Sequence, residues 1–434
     1  MKPRKIVVIG AGSSFGPDIV NELAQQAIYF GEGRLALVDL NRERLEVVAE
    51  FARRRMKAEG AGLAIETSEE WRAVIEGADF VITALSVGGI EAAKLDVLLP
   101  AKYGVYYHYG ASVGPGAVFQ ACRHIPLPVE IAREMERCCP EAWLLNYGNP
   151  LSPICRAIVR TTRIKTIGMC PGYIAMLPGM SRLLEVPEDD IEIFAVGINH
   201  CTWVMEIRVR GKDAYPILAE KADMNDPAMD FYRTFGLFPC PGTSHVGEFY
   251  PFCKKEKEPP KGIMDGTEKT HPEMRARNLA EAWGKLAAAL RGPGSPKLSE
   301  MGLLKSFKFD MAGRSAACLS GRDEAMFVVN IPNRGSVANL PEGAIVEAPA
   351  CIGPTGVRGY CMGALPECVA STIRAHIAHH DLVVDAALTG DRRILLHALL
   401  TDPCVPFTIE TARRFRDEML EAQSKWLPQF STKA

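Results

Sequence analysis

Residues 5–26, KIVVIGAGSSFGPDIVNELAQQ, restrict the fold of this chain more tightly than any other segment. KIVVIG (5–10) is a short apolar run closed by glycine, the pattern of a strand buried on both faces. PDIVNELAQQ (17–26) carries its apolar residues at helical spacing. Between them lies GAGSSFG (10–16). A strand that turns through glycines into a helix aims free N–H groups and the positive end of a helix dipole at whatever lies over the turn. Gly10 permits the tight turn, and Gly12 lets the backbone approach a pyrophosphate. Ser13 and Ser14 offer hydroxyl donors, and Phe15 completes the loop. Gly16 comes one residue later than in the usual dinucleotide-binding spacing. The second strand, RLALVDL (34–40), ends near Asp39, where a carboxylate hydrogen-bonds a ribose diol and repels a 2′-phosphate. These residues point to bound NAD, although a fold of this kind also exists without a cofactor.

Strand and helix patterns keep alternating up to about residue 185. LAIETS, DFVITALS, AWLLNY and KTIGM are strand candidates, with helical patterns in NRERLEVVAEFARRRMKAEG, WRAVIEGA, LPVEIAREMERCC and SPICRAIVRT. Such alternation means a parallel sheet covered by helices on both faces. Beyond it, IEIFAVG and WVMEIRVRG suit antiparallel neighbours, residues 225–320 read as helices and loops including the charged KKEKEPPKG (254–262), and LVVDAALTGDRRILLHALL is helical. The expectation is an α/β chain of the lactate/malate dehydrogenase type. A Rossmann-like NAD-binding domain spans 1–185, and a mixed α+β domain for substrate, metal and oligomerisation spans 186–434.

A formal net charge of −2 gives no electrostatic reason for a nucleic-acid or membrane partner. No apolar stretch approaches membrane-spanning length. The 13 cysteines are odd in number, scattered in apolar segments and free of any C-x-x-C pair, as in a reducing, cytoplasmic setting.

Ligands of open α/β sheets sit beyond the carboxyl ends of the strands. DFVITALS leads into VGGIEAAKLD (87–96), a glycine loop with Val87, Lys94 and Asp96; AWLLNY leads into Gly148-Asn149-Pro150; KTIGM leads into Cys170. The strand IEIFAV runs into GINHCTWV (197–204), which holds His200. Taken alone, His200 reads as an ordinary core histidine hydrogen-bonded to a backbone carbonyl. Beside Cys170 it becomes half of a thiolate–imidazole pair suited to a borderline transition metal. Strand alternation turns Cys201 to the other face.

Over nearly its whole length the chain resembles the NAD-dependent glycoside hydrolases of family 4. The matching stretches include KIVVIGAGSS, LVDLNRERL, ADFVITALSVGGIEAAKLD, SVGPGAVFQACRHIP, LLNYGNPLSPI, IGMC, GINHCTWV, HVGEFYPF and NRGSVANLPEGAIVEAP. The resemblance implies that Cys170 and His200 hold a divalent metal, usually Mn²⁺, and that Asn149 lies near cofactor and substrate. It also implies a chemistry. NAD⁺ takes a hydride from C3 of the sugar, a tyrosine base removes the acidified C2 proton while the metal stabilises the enediolate, the aglycone leaves, water adds, and the ketone is reduced again. Homodimers or homotetramers are usual among such enzymes.

The chain departs from the family pattern around the expected pocket. Pro171 follows the metal cysteine where a polar residue is common. The E-Y-x-P stretch reads Glu248-Phe249-Tyr250-Pro251, which leaves Tyr250 as the candidate base with His245 close by. Lys94 replaces a frequent arginine, and Gly110-Ala111-Ser112 replaces Q-E-T. Lys94, Asp96, Arg123 and Asn149 are candidate substrate contacts, and Lys94, His108, Arg123 and Arg334 would suit an acidic sugar. A 2-hydroxy-acid dehydrogenase of the lactate/malate type would share the nucleotide domain but needs a G-x-H-G-D-like setting that GINHCTWV lacks. A non-catalytic NAD-sensing protein would have no use for Cys170 and His200.

Overall fold

In the computed structural model, which describes residues 2–107, 110–221, 227–253, 263, 266–296 and 311–431, the apolar runs of the first half pair as a parallel sheet. Its strands are β1 (Lys5–Ile9), β2 (Arg34–Val38), β3 (Ala64–Ser68), β4 (Phe80–Thr83), β5 (Trp143–Asn146) and β6 (Lys165–Gly168). Their spatial order is β3-β2-β1-β4-β5-β6. The order reverses at β1, which pairs with both β2 and β4, and the crevice beyond this switch point receives the glycine loop. Side chains alternate between two apolar layers. Ile6, Val8 and Ile82 meet the helices Gly16–Gln25 and Arg42–Ala58. Val7, Val81 and Leu144 meet the helices Pro126–Cys138 and Leu151–Thr161. Each such fully buried aliphatic residue contributes about 1.5–3 kcal/mol.

The second half extends the same sheet. It supplies β7 (Ile191–Ile198), β8 (Cys201–Val209), β9 (Lys212–Asp213), β10 (Phe238–Cys240), β11 (Ala325–Pro332), β12 (Ile345–Gly353) and β13 (Gly356–Gly359), giving 13 strands in all. The joins are narrow. β6 meets β11 at the pair Gly168–Asn330, and β12 meets β7 at the pair Glu347–Gly197. Asn330 is itself opposite Glu347. Gly168, Asn330, Glu347 and Gly197 therefore lie in one line across the seam between the parallel and antiparallel halves.

Several sequence expectations change. The division at 185/186 does not divide the core, because Val383, Leu395 and Phe415 of the helices Glu367–Thr389, Arg392–Thr401 and Ile409–Ala422 share the apolar layer of Val7 and Val81. WRAVIEGA forms only the 3-10 turn Trp71–Ala73. VGGIEAAKLD is no loop beyond its first residues: Gly88, with φ +82°, caps a helix over Gly89–Lys102 that carries both Lys94 and Asp96. The helical tail breaks at Gly390, whose φ of +69° ends Glu367–Thr389 in a left-handed cap. KKEKEPPKG and His108 lie outside the described residues.

Candidate active site

Backbone hydrogen bonds carry the pairing past the strand ends. Ala84 N–H donates to Ile9 O at 2.9 Å, Tyr147 N–H to Thr83 O at 2.8 Å and Met169 N–H to Asn146 O at 2.8 Å. The loops after β1, β4, β5 and β6 are thereby aligned along one edge. The glycine loop is packed as its composition requires. A Cβ on Gly10 (φ +91°) would stand 2.4 Å from Ala84 O, and one on Gly16 1.8 Å from Ala11 O. Asp39 accepts the Gly12 N–H at 2.7 Å and the Asn41 N–H at 2.8 Å, so its carboxylate is fixed at the mouth of the loop. Ser13 Oγ accepts the Phe15 N–H at 3.3 Å, Ser14 is exposed, and the Phe15 ring lies 5.2 Å from that of Tyr147.

Val87 and Asn149 are held together by a residue that the sequence patterns did not single out. Val87 N–H donates to His124 Nε2 at 3.1 Å, and His124 Nδ1–H donates to Asn149 O at 2.6 Å. One ring thus fixes the loops after β4 and β5. Burial and the neighbouring Arg123 lower the His124 pKa to about 4, and the neutral ring has the one donor and one acceptor that these bonds require. The Asn149 Oδ1 atom is buried with no hydrogen-bond partner among the described residues.

Cys170 follows β6, and His200 occupies the two-residue turn between β7 and β8, where Ile198 pairs with Cys201. His200 has φ +67°. That left-handed conformation costs a residue with a Cβ roughly 1–2 kcal/mol, a concession typical of functional turns. Asn199, beside His200 in this turn, donates from Nδ2 to Glu347 Oε2 at 2.7 Å. Asn330 Nδ2 donates to the same oxygen at 3.0 Å. On the other side Ser112 Oγ lies 2.9 Å from His200 Nδ1, and the rings of His200 and His245 meet edge to face with centroids 5.1 Å apart.

Burial, then His245 and Arg275, push the His200 pKa down to about 3, which leaves a neutral imidazole able to ligate a cation. Burial, then the Glu347 carboxyl, raise the Cys170 thiol, so cation binding there must expel the thiol proton. Among the described residues no group of three or more His, Cys, Asp and Glu is gathered to hold a metal. A thiol and an imidazole are donor types that suit a borderline transition metal.

Other candidates are not part of this cluster. Arg123 is committed to a buried bidentate pair with Asp96, at 2.9 and 2.6 Å, and to Gln423. Both side chains are sealed from solvent, at 1% and 5% exposure, so neither contacts a substrate. Lys94 pairs with Glu273 at 3.0 Å. Tyr250 is a core residue: its ring packs among Trp203, Phe231 and Phe235, its hydroxyl is buried with no hydrogen-bond partner among the described residues, and burial raises its pKa. A phenol so enclosed does not reach a sugar proton, which corrects the expectation of a Tyr250 base. Phe249 is buried as well, with its carbonyl beside His376 Nε2 at 3.2 Å. His245 is half-buried in the turn of helix Thr243–Val246. The residues that sequence reasoning missed, Asn199, Glu347 and His124, had one visible signal between them, a carboxylate within the otherwise apolar strand IVEAPACIG.

No helix among the described residues is long and apolar enough to cross a membrane. The family model for "Family 4 glycosyl hydrolase" matches residues 5–186, and that for the "Family 4 glycosyl hydrolase C-terminal domain" matches residues 195–405. An alpha-galacturonidase of Thermoanaerobacterium saccharolyticum is 28% identical over 465 residues, covering 99% of this chain and 97% of that protein. An alpha-galactosidase of Bacillus subtilis is 26% identical over 439 residues, covering 98% and 100%. A 6-phospho-beta glucosidase of Thermotoga maritima, solved with manganese, NAD⁺ and glucose-6-phosphate, superposes with a TM-score of 0.82 at 23% identity, covering 97% of this chain and 99% of that one. With both family models spanning most of its length, the chain belongs to the family 4 glycosyl hydrolases.

Proposed function

We propose that the chain hydrolyses a small-molecule glycoside with NAD⁺ and a divalent metal, Mn²⁺ foremost, by transient oxidation at C3, deprotonation at C2, elimination and addition of water. The observation that carries this is the glycine loop after β1, with the Asp39 carboxylate fixed on the Gly12 N–H at 2.7 Å, on the edge where Cys170 follows β6. The manganese, NAD⁺ and sugar phosphate in the Thermotoga maritima relative support it. When bound, NAD⁺ supplies a recyclable hydride acceptor and the cation supplies Lewis-acid polarisation.

The remaining roles belong to the chain's own residues. The loop from Gly10 to Gly16, with Ser13, Ser14 and Phe15, holds the pyrophosphate against the helix N-terminus, and Asp39 takes the ribose diol. Val87 and Asn149 border the cofactor, and Asn149 Oδ1 accepts a ribose or sugar hydroxyl. Cys170 and His200 would hold the cation, with Ser112 Oγ steadying the His200 ring. His245, kept neutral by burial, moves the proton at Nε2 in place of Tyr250. We further place the protein in the cytoplasm, where the 13 cysteines stay out of disulfides, and as a homodimer or homotetramer, a state that sedimentation equilibrium measures.

Hydrolysis of aryl glycosides in D₂O with NAD⁺ and Mn²⁺ tests the proposal. Deuterium at C2 of the released sugar with a flat NADH signal is the expected result. Cleavage without deuterium refutes the elimination route, and net NAD⁺ reduction by a 2-hydroxy acid without metal would mark a dehydrogenase.

A further inference from the structure

Glu347 is 2% exposed, has no basic partner in its hydrogen bonds, and sits in the middle of the sheet. Burying a carboxyl costs several kcal/mol, and an apolar side chain of similar volume would suit a strand such as IVEAPACIG better. Its partners show what this cost secures. One oxygen, Oε2, accepts from Asn199 at 2.7 Å and from Asn330 at 3.0 Å. Asn330 stands over Gly168, where a Cβ would come 2.8 Å from the Asn330 Cβ, and Gly168 lies two residues before Cys170. Glu347 pairs with Gly197, three residues before His200, and Gly197 presses so closely on its hairpin partner that a Cβ would stand 2.2 Å from Cys201 O. Cys170 and His200 therefore each hang a few residues beyond the same seam line, one on β6 and the other on β7. The side chains bridging the line are Asn330, Glu347 and Asn199.

We propose that Glu347, acting through Asn199 and Asn330, is a positioning residue that sets the His200 turn relative to the end of β6 that carries Cys170. This rests on the assignment of Cys170 and His200 as the metal clasp. Glu347 accepts from one amide on each side of the seam: Asn199 adjoins His200, and Asn330 stands opposite Gly168, two residues before Cys170. The carboxyl is required as a doubly accepting oxygen and not as a ligand. Glu347→Gln retains such an oxygen, whereas Glu347→Leu fills the space and leaves both amides unheld. Loss of partners that orient metal ligands typically costs about 10–100-fold in metal affinity.

The experiment measures the Mn²⁺ dissociation constant by electron paramagnetic resonance of free Mn²⁺, and the thiolate-to-cobalt charge-transfer band after Co²⁺ loading. NAD⁺ affinity serves as the control for folding. Wild type and Glu347→Gln are expected to agree within about threefold, and Glu347→Leu to weaken Mn²⁺ by roughly 10–100-fold and to shift or lose the cobalt band with NAD⁺ binding kept. Asn199→Ala, which leaves Glu347 and Asn330 paired, is expected to show the same loss and covers the case in which Glu347→Leu does not fold. Wild-type metal affinity and band in folded Asn199→Ala overturn the positioning role alone. Absence of a thiolate band in wild type, or its persistence in Cys170→Ser, overturns the clasp and this proposal with it.

Discussion

Replacing Arg123 by Met removes one partner of the most deeply buried ion pair in the described protein and keeps much of the apolar stem. Arg123 and Asp96 exchange two hydrogen bonds of 2.9 and 2.6 Å with side chains 1% and 5% exposed. Only Gln423, which donates to Asp96 Oδ1 at 2.9 Å, would remain to compensate the carboxylate. Leaving such a charge unpaired costs about 3–5 kcal/mol. For 434 residues, an unfolding entropy of about 2.1 cal/mol/K per residue gives about 0.9 kcal/mol/K, so Tm should fall by about 3–5 °C.

The loss carries a pH signature. Burial raises the Asp96 pKa in the intact protein while Arg123 opposes the rise. Without Arg123 the folded-state pKa climbs further above the unfolded value near 3.9. A carboxyl raised in this way favours the fold at low pH and withdraws that stability as pH rises through its folded pKa, by about 1.4 kcal/mol per pH unit within that window. Calorimetric melts of Arg123→Met should therefore fall behind wild type progressively from acid to neutral pH. Adding Asp96→Leu should restore most of the lost Tm, since an apolar pair replaces the orphaned charge. A variant that melts within about 1 °C of wild type but shows a KM raised tenfold or more would place the guanidinium on the substrate and refute this account.

Tyr250→Phe should keep kcat within a few-fold, because the hydroxyl is buried in the core; a loss beyond about 100-fold would restore it as the base. His124→Leu strands the Val87 N–H and leaves the Asn149 carbonyl with the Gln120 amide at 3.3 Å as donor, so the NAD⁺ dissociation constant measured by calorimetry should rise, and an unchanged value would show that the two loops hold without the ring. His376 is fully buried with a pKa lowered to about 4 by burial, below its unfolded value near 6.5. The unfolded chain therefore binds the extra proton, and stability drops as pH falls from about 6.5 to 4, by about 1.4 kcal/mol per unit for this group. His376→Gln should flatten the Tm profile across that window, and an unaltered slope would remove His376 from the acid response.

What could be read directly from the sequence was local. A short apolar strand, glycines at a turn and a helical spacing specify the β1 crossing because each depends on neighbouring backbone conformations, and Asp39 follows from the end of the next strand. Cys170 and His200 were visible as residue types at strand ends, and the family resemblance paired them. The link between the His200 turn and β11 was not legible, since it runs through two amides and a carboxyl brought in by β12. The carboxylate in IVEAPACIG was a signal without a partner until the sheet closed. Arg123, Asp96 and Tyr250 were misassigned for the same reason. A charge or a phenol looks alike in sequence whether it meets a substrate or another part of the chain. Desolvation and the identity of the opposing group decide that, and both come from segments far apart in sequence, so only the tertiary structure could assign these residues to the core and leave Cys170, His200 and Asn149 at the edge.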